Sequence, residues 1–338
     1  MIDLKRIVET TLVPHTAFQE ASRRLEQCFD YANGSSEPIC IAVVGESRTG
    51  KSRVLEECFI NHPTVRHSEG LEVPILRVKT PSKPTVKGLT ETMLRAMGDP
   101  KFSSGSESNM TSRLATLVKN ALTRTVMIDE FQHFYDKGTH TIMHYVADWL
   151  KNFVDESKVA LVVAGLPSCF AVINQNEQLV GRFLAPVTMP RFDWQDKDQR
   201  DEYIAILGAF QESIGGHFDL PALDGEEMAF RCYCGTGGLI GYLTKFLRQA
   251  VWNALDANAR TIELADLMHA HDEAVWAKHG LLPMCSPFSK GFSSQPTDDL
   301  LARVRLLGTP VEEPPRPRGR RSLFPAKAPC VQAVLSAR

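Results

Sequence analysis

Long hydrophobic runs are missing from this 338-residue sequence. A membrane-spanning helix needs about 18 or more consecutive apolar residues, so none is predicted. The first ten residues, MIDLKRIVET, contain acidic side chains and no apolar run, which argues against a signal peptide. A strong charge imbalance is also missing, since 38 Lys and Arg stand against 40 Asp and Glu. Any contact with nucleic acid must therefore come from a local basic patch.

Paired cysteine motifs are missing as well. The chain has eight cysteines, and Cys232 and Cys234 form the only close pair. Their C-x-C spacing has no second pair and no histidine couple to complete a metal site. We therefore predict free thiols in a reducing cytoplasm.

Short apolar runs alternate with helical patterns up to about residue 192. The runs at 39–44, 73–78, 125–129, 158–164 and 187–190 are typical of buried strands, and the order predicts an α/β fold with a parallel sheet flanked by helices. Beyond about residue 195 the pattern is helical. The predicted organisation is an N-terminal helical segment (1–38), an α/β core (39–194), a small helical domain (195–282) and a flexible tail rich in Pro and Arg (283–338).

The segment GESRTGKS, from Gly45 to Ser52, matches the P-loop pattern G-x-x-x-x-G-K-[ST] in full. It lies between a predicted strand and a predicted helix, where backbone N–H groups and a helix N-terminus attract phosphate. Lys51 is expected to reach the β and γ phosphates, and the Ser52 hydroxyl to bind Mg²⁺. The predicted contacts to ATP are Gly45, Glu46, Ser47, Arg48, Thr49, Gly50, Lys51, Ser52 and Arg53.

A second apolar strand, VMIDE, ends in Asp129 and Glu130. Asp129 is expected to hold Mg²⁺ with Ser52, and Glu130 to orient and deprotonate the attacking water. The predicted catalytic residues are Lys51, Asp129, Glu130 and Arg182. Arg182, between a predicted helix and strand, could reach the nucleotide of a neighbouring subunit. A surface ion pair is the alternative for this arginine.

Polar sensor residues beside the γ-phosphate are not evident. The segment after the strand at 158–164 reads Ala-Gly-Leu-Pro-Ser, with no Asn or Thr at the strand end. The helix that opens at GGLIGYL has no arginine at its start, and Lys245 and Arg248 lie further along. His269 and His271 are predicted to be surface residues.

Several segments together resemble the TniB/TnsC family of transposon-encoded AAA+ ATPases. They are GESRTGKS, VMIDEFQHF, VVAGLPSCFAVINQNEQLVGRF, PVTMPRFDW and GTGGLIGYL, which occur in this order between about residues 15 and 280. The resemblance implies an AAA+ core with a C-terminal helical lid, and it implies that Arg182 is the trans-acting arginine finger.

The resemblance also implies a function. Such proteins assemble on double-stranded DNA with ATP bound, as a homo-oligomeric ring or filament, in the bacterial cytoplasm. They link a TniQ-type target-selection protein to transposase subunits, and ATP hydrolysis disassembles the complex. Members serve mercury-resistance-type and CRISPR-associated transposons.

The lysine-bearing loop KTPSKPTVK, residues 79–87, is the predicted DNA contact. Its lysines and small hydroxyl residues suit sequence-independent binding to phosphates, and the resemblance places DNA contacts nearby. The named candidates are Lys79, Thr80, Ser82, Lys83 and Lys87. An ordinary solvated loop is the alternative. A second candidate is the tail with Arg316, Arg318, Arg320, Arg321 and Lys327, for which a docking peptide for the transposase or a disordered solubilising end is the alternative.

Two other functions remain open at the level of sequence. The first is a different AAA+ DNA machine, such as a helicase loader or a clamp-loader-like ATPase. The second is an interaction module whose ATP is structural, against which Asp129, Glu130 and Arg182 together argue. Binding to a transposase distinguishes a transposition regulator from a different AAA+ DNA machine. Measurable ATP turnover excludes the interaction module.

Overall fold

A parallel sheet of five strands organises the chain up to Thr188 in the computed structural model, which describes residues 4–32, 37–68, 70–275 and 285–309. The strands are β1 (Cys40–Val44), β4 (Ile75–Lys79), β5 (Thr125–Asp129), β6 (Ala160–Gly165) and β7 (Val187–Thr188), and a separate antiparallel pair consists of β2 (Val65–Arg66) and β3 (Leu71–Glu72). Every neighbouring pair in the large sheet is parallel. The predicted α/β fold is confirmed.

Helices cover the sheet and continue alone towards the C-terminus. They are α1 (Ile7–Thr10), α2 (Thr16–Tyr31), α3 (Lys51–Asn61), α4 (Val86–Ala96), α5 (Glu107–Asn120), α6 (His133–Asp136), α7 (His140–Ser157), α8 (Cys169–Ile173), α9 (Glu177–Val180), α10 (Lys197–Gly215), α11 (Glu226–Thr236), α12 (Ile240–Asp256), α13 (Leu264–Ala274) and α14 (Asp298–Arg305). Local sequence sets several starts, since Thr85, Ser106 and Thr139 each accept a hydrogen bond from a backbone N–H of the first turn.

Strand order fixes where chemistry can occur. The order is β4-β5-β6-β1-β7, so β6 separates β1, which leads into the P-loop, from β5, which carries Asp129 at its end. All five strands run the same way, and their carboxyl ends therefore share one edge of the sheet. Ligands bind at this edge in open α/β sheets.

Alternation along β1 divides the apolar residues between the two sheet faces. Cys40, Ala42 and Val44 face a core shared with α4, α5 and α7, whereas Ile41 and Val43 face a core shared with α2 and α3. A third core joins α10 to α14 with Ile7 and Val8 of α1. Residues up to Gly308 form one compact unit, and the boundary between 194 and 195 stays a prediction.

The predicted flexible tail begins too early. Thr297 caps α14, and Leu301, Val304 and Leu307 of this region are buried in the third core. The helix was missed because an eight-residue amphipathic segment is diluted in a long stretch rich in Pro, Ser and Gly. The tail arginines 316–321 and Lys327 lie outside the described residues.

The prediction of a surface position for His271 is also wrong. Its side chain is 1% exposed, and its Nε2 lies 2.9 Å from the carbonyl oxygen of Gly235. Burial lowers the pKa of this imidazole. Its position one turn from Leu267 and Ala274 on the inner face of α13 explains the burial.

Candidate nucleotide-binding site

The P-loop follows β1 and ends where α3 begins at Lys51. Gly45 packs against the backbone of Met189, the residue after β7. A Cβ at position 45 would be 2.1 Å from the carbonyl oxygen of Met189. Gly50 adopts φ +99°, in the left-handed region that favours glycine. These two glycines allow the loop to wrap around the N-terminus of α3, which is the arrangement that cradles phosphate.

Lys51 is 9% exposed, and its side chain points back into the loop. Its Nζ donates hydrogen bonds to the carbonyl oxygens of Gly45, at 2.9 Å, and Glu46, at 2.5 Å. Burial lowers the pKa of the ammonium group, and the carboxylates of Glu130 and Asp129 oppose that shift. The ammonium therefore bonds to the loop carbonyls and is exposed to the field of the acidic pair.

A pocket of about 310 Å³ brings most of the predicted residues together. Its lining consists of Ser47, Arg48, Gly50, Lys51, Ser52, Arg53, Glu130, Gln132, Leu166 and Gly241. The other predicted contacts support the loop: Thr49 Oγ1 donates to the carbonyl oxygen of Glu46 at 3.0 Å. The pocket thus joins the P-loop to the acid that follows β5.

Asp129 is 1% exposed at the end of β5. Its Oδ1 accepts a hydrogen bond from the backbone N–H of Glu130 at 2.9 Å, whereas its buried Oδ2 has no hydrogen-bond partner among the described residues. A buried carboxylate oxygen without a donor suits a cation or its bound water. Asp129 therefore offers one free carboxylate oxygen of the kind that Mg²⁺ or its bound water accepts.

Thr80 supports Asp129, and its predicted contact with DNA is wrong. Its side chain is 7% exposed, its backbone N–H donates to the carbonyl oxygen of Asp129 at 2.9 Å, and its hydroxyl donates to the same oxygen at 3.1 Å. Pairing of β4 with β5 continues one residue beyond Lys79, which buries Thr80 in the sheet edge. Lys79, Ser82, Lys83 and Lys87 are exposed, as a DNA contact requires.

Gln132 is a site residue that the sequence did not reveal. It is 4% exposed, donates from Nε2 to Glu130 Oε2 at 2.5 Å, and accepts at Oε1 from the backbone N–H of Leu166 at 3.2 Å. The only sequence signal was its position two residues after Glu130. Its partner Leu166 lies in the segment where the sequence offered no polar sensor.

The helical region closes one side of the pocket through α12. The backbone N–H of Gly241 donates to the carbonyl oxygen of Arg48 at 2.8 Å, and a Cβ on Gly241 would approach Arg48 Cβ to 2.8 Å. The Arg48 guanidinium lies 4.5 Å from the centre of the Tyr242 ring. The P-loop and α12 are therefore in direct contact.

Arg191 ties the same loop to the C-terminal helices. Its Nε donates to both carboxylate oxygens of Glu46 at 3.0 Å. Its guanidinium also donates to the carbonyl oxygens of Gly237, at 3.2 Å, and Leu307, at 3.0 Å. Glu46 is therefore occupied by an ion pair, and Arg191 joins the P-loop to α11 and the end of α14.

A second cavity, of about 440 Å³, opens beside the P-loop and shares Gly50, Arg53 and Gly241 with the first. Its apolar lining comes from the N-terminal segment, α10 and α12, and includes Val8, Val13, Phe18, Ile206, Phe210 and Ile240. Arg248, which also lines it, pairs with Glu9 at 2.8 Å. An apolar cavity continuous with a phosphate loop can take the organic part of a nucleotide.

Arg182 lies away from this pocket. Its backbone oxygen accepts from the N–H of Cys40, the first residue of β1, whereas the P-loop follows the last. Its side chain pairs with Asp155, with Nε to Oδ1 at 2.7 Å and Nη2 to Oδ1 at 2.6 Å. Arg182 therefore belongs to the opposite edge of the sheet from the site of its own chain.

The sequence matches the family described as "TniB: Bacterial TniB protein" over residues 3–194. Among curated proteins, none matches the chain. No helix among the described residues is long and apolar enough to cross a membrane.

Several solved structures share the fold. Cdc6p from Pyrobaculum aerophilum aligns with TM-score 0.59 and 12% identity, over 82% of this chain and 72% of that chain. The ORC2 protein of Aeropyrum pernix in its ADP form gives 0.59 and 13%, over 80% and 72%. The ORC1 protein of Aeropyrum pernix in complex with DNA gives 0.55 and 14%, over 80% and 69%.

The fold is therefore of the AAA+ type, with a P-loop and an acidic pair at one edge of its sheet. Fold and family together support an ATPase of this type. Since the family match spans more than half of its length, the chain belongs to the TniB family.

Proposed function

We propose that this chain is an ATP-dependent regulator of transposition in the bacterial cytoplasm. With Mg-ATP bound, it assembles as a homo-oligomer on double-stranded DNA and links a TniQ-type target-selection protein to transposase subunits. ATP hydrolysis then releases the assembly. The observation that carries the proposal is the pocket in which Lys51 of the P-loop meets Glu130, in a chain of the TniB family.

The two adjoining cavities accommodate the two ends of the nucleotide. The phosphates bind the N–H groups of the loop that precedes α3, and the base binds the apolar cavity between the N-terminal segment and α12. Because Gly241 contacts Arg48 directly, occupation of this cleft is expected to move α12 relative to the P-loop. Nucleotide binding and the position of the helical region are thereby coupled.

Hydrolysis needs charge neutralisation and an oriented water. Lys51 exchanges its bonds to the carbonyls of Gly45 and Glu46 for charge-assisted bonds to phosphate oxygens. Glu130 orients the water and accepts its proton as the oxygen attacks the γ-phosphorus, and the bond from that phosphorus to the bridging oxygen breaks, which releases ADP and phosphate. Asp129 and Ser52 hold Mg²⁺, which when bound neutralises charge on the phosphates.

Arg182 supplies its guanidinium to the nucleotide of a neighbouring subunit in this proposal. The nucleotide pocket of the same chain lies at the other edge of the sheet. Arg182 can therefore reach a nucleotide only across an interface with a neighbouring subunit. The partly exposed ion pair with Asp155 must open for this, and a pair of this kind stabilises the protein by about 1 kcal/mol or less. The assembled protein therefore gains a catalytic group that the monomer lacks.

Arg182→Ala is expected to lower ATP turnover of the DNA-bound assembly by roughly 10³-fold, the lower end of the effect of an arginine finger. Steady-state turnover with saturating DNA measures this. Mixing Arg182→Ala with Glu130→Gln restores turnover, because the second protein binds ATP, joins the assembly and supplies the arginine to the intact pocket of the first. Asp155→Asn, which keeps the guanidinium, is the control and stays active. Wild-type turnover of Arg182→Ala, or failure of complementation in mixed assemblies that form normally, contradicts the trans role.

Exposed lysines in the loop after β4 and in the first turn of α4 supply the contact with DNA. Lys83 and Lys87 are solvent-exposed and follow the sheet edge that carries the acidic pair. Lysines placed in this way neutralise backbone phosphates without reading sequence.

The double variant Lys83→Ala/Lys87→Ala is expected to bind DNA more weakly, with the slope of log K against log salt reduced by about 2. Fluorescence anisotropy at several salt concentrations measures the slope, and the exposed pair Lys119→Ala/Lys197→Ala is the control. An unchanged slope removes this loop from the DNA interface.

Electron microscopy with duplex DNA and a non-hydrolysable ATP analogue tests the proposal as a whole. Rings or filaments that form on DNA only with nucleotide, and that retain purified transposase subunits and the target-selection protein, are the expected result. A monomer that ignores DNA in both conditions overturns the assembly mechanism. Nucleotide-dependent assemblies that do not bind transposase overturn the regulator role and leave a different AAA+ DNA machine.

A further inference from the structure

A side-chain amide joins the end of β6 to the acid that follows β5. Gln132 Nε2 lies 2.5 Å from Glu130 Oε2, and Gln132 Oε1 lies 3.2 Å from the backbone nitrogen of Leu166. Glu130 and Gln132 both line the pocket that contains Lys51 and Ser52. The contact is therefore part of the pocket wall.

The chemistry of the two partners fixes the orientation of this amide. The Leu166 N–H can only donate, and an ionised Glu130 carboxylate can only accept. Among side chains of this length, an amide supplies an acceptor to the first and a donor to the second. Glutamate at 132 keeps the acceptor and loses the donor, and methionine loses both.

The surrounding backbone is shaped to hold Gln132 in place. A Cβ on Gly165 would lie 2.2 Å from Gln132 Oε1, so the absence of a side chain at this position makes room for the amide. Gln132 is 4% exposed and cannot turn into solvent without a rearrangement. Glu130 itself has φ +57°, a left-handed conformation that is uncommon for a residue with a side chain. A backbone held in this conformation and a side chain held by Gln132 give the carboxylate a defined direction.

We propose that Gln132 is a positioning residue that aims the Glu130 carboxylate at the attacking water and connects it to the end of β6. The assignment rests on the proposed ATPase activity and adds a specific residue to it. The assignment also accounts for the sequence at the end of β6. Gly165 and Leu166 stand there, in the segment where no polar sensor residue is evident. In this chain the polar group at that place comes from Gln132, held by a backbone N–H of the strand end.

Gln132→Glu is the decisive variant, because it preserves shape and the bond to Leu166 while it replaces the donor facing Glu130 by an oxygen. The kcat for ATP is expected to fall between about tenfold and hundredfold, as for a misplaced catalytic group, with the Kd for Mg-ATP within about twofold of wild type. Gln132→Met is expected to lower kcat similarly. Gln175→Glu makes the same substitution on a residue after α8 that is not among the pocket-lining residues and whose side-chain amide donates to the carbonyl oxygen of Ala171, so it should leave turnover unchanged.

The pH profile distinguishes positioning from general damage. In Gln132→Glu two carboxylates face each other, which raises the pKa of one of them, so the acidic limb of kcat moves to higher pH. Gln132→Met adds no charge and should show a smaller movement. In a Glu130→Gln background, Gln132→Glu should change the residual rate less than about twofold, because the residue acts through Glu130.

The outcomes separate this inference from the proposed function. A wild-type protein that neither binds nor hydrolyses Mg-ATP overturns both. A wild-type protein that hydrolyses ATP, together with a Gln132→Glu variant of equal or higher kcat, overturns only the role of Gln132. A full effect of Gln132→Glu in the Glu130→Gln background also overturns it, since the residue then acts by another route.

Discussion

The Lys51→Ala variant loses measurable binding of Mg-ATP and, with it, all ATP turnover. The ammonium group is the cation that the P-loop brings to the β and γ phosphates, and charge-assisted bonds of this kind are about twice as strong as neutral ones. In this structure the group already lies within the loop, where burial lowers its pKa and the nearby carboxylates of Glu130 and Asp129 oppose that shift. Its removal leaves the acidic pair facing the phosphates without the lysine that compensates it. The variant therefore loses the attraction between the lysine and the phosphates, and the acidic pair repels the phosphates.

Thermal unfolding with increasing Mg-ATP measures this loss directly. A ligand at 100 times its Kd stabilises the folded state by about 2.7 kcal/mol, so the wild-type protein should show a clear rise in melting temperature and the variant none. The exposed Lys119 on α5 is the matched control, and Lys119→Ala should respond as wild type.

A second variant separates binding from folding. Lys51 Nζ also bonds to the carbonyl oxygens of Gly45 and Glu46, so Lys51→Ala loses stability even without nucleotide. Lys51→Met keeps most of the aliphatic stem and loses only the charged end. A folded Lys51→Met protein with wild-type affinity for Mg-ATP contradicts the role given to the lysine.

The features that were predicted correctly from sequence depend on residues adjacent in the chain. The apolar run before Gly45 and the glycine spacing after it define a strand, a loop and a helix start without further information. The same holds for β5, where an apolar run ends in Asp129. Their meeting at one sheet edge followed from the expectation of parallel strands, and the pairing of the strands confirms that edge.

The features that were missed depend on contacts between distant parts of the chain. Gln132 meets Leu166 across 34 positions, and Arg191 meets Glu46 across 145. No local pattern in the sequence identifies such a pair. The error at Thr80 has the same origin: a polar composition indicated a loop that contacts DNA, whereas pairing with Asp129 in the neighbouring strand decides its position.

These contacts bear on the chemistry expected at Glu130. One hydrogen bond from Gln132 Nε2 holds the carboxylate of Glu130, and Asp129 accepts from the backbone N–H of Glu130. An isosteric amide at position 130 keeps the size of the side chain and an oxygen that can accept from Gln132. It cannot take a proton from water at neutral pH.

Glu130→Gln is therefore expected to bind Mg-ATP as wild type does while its hydrolysis rate falls between about 10²-fold and 10⁴-fold, the range for loss of a general base. If ATP favours the assembled form and hydrolysis releases it, the variant should remain on DNA after dilution into ATP, whereas wild type dissociates. Negative-stain images and light scattering after dilution measure persistence, and a single-turnover assay measures hydrolysis. Glu212→Gln, an exposed change on α10, is the control and should behave as wild type. Wild-type hydrolysis by Glu130→Gln contradicts the role of the acid, and slow hydrolysis with normal dissociation contradicts the coupling of hydrolysis to release.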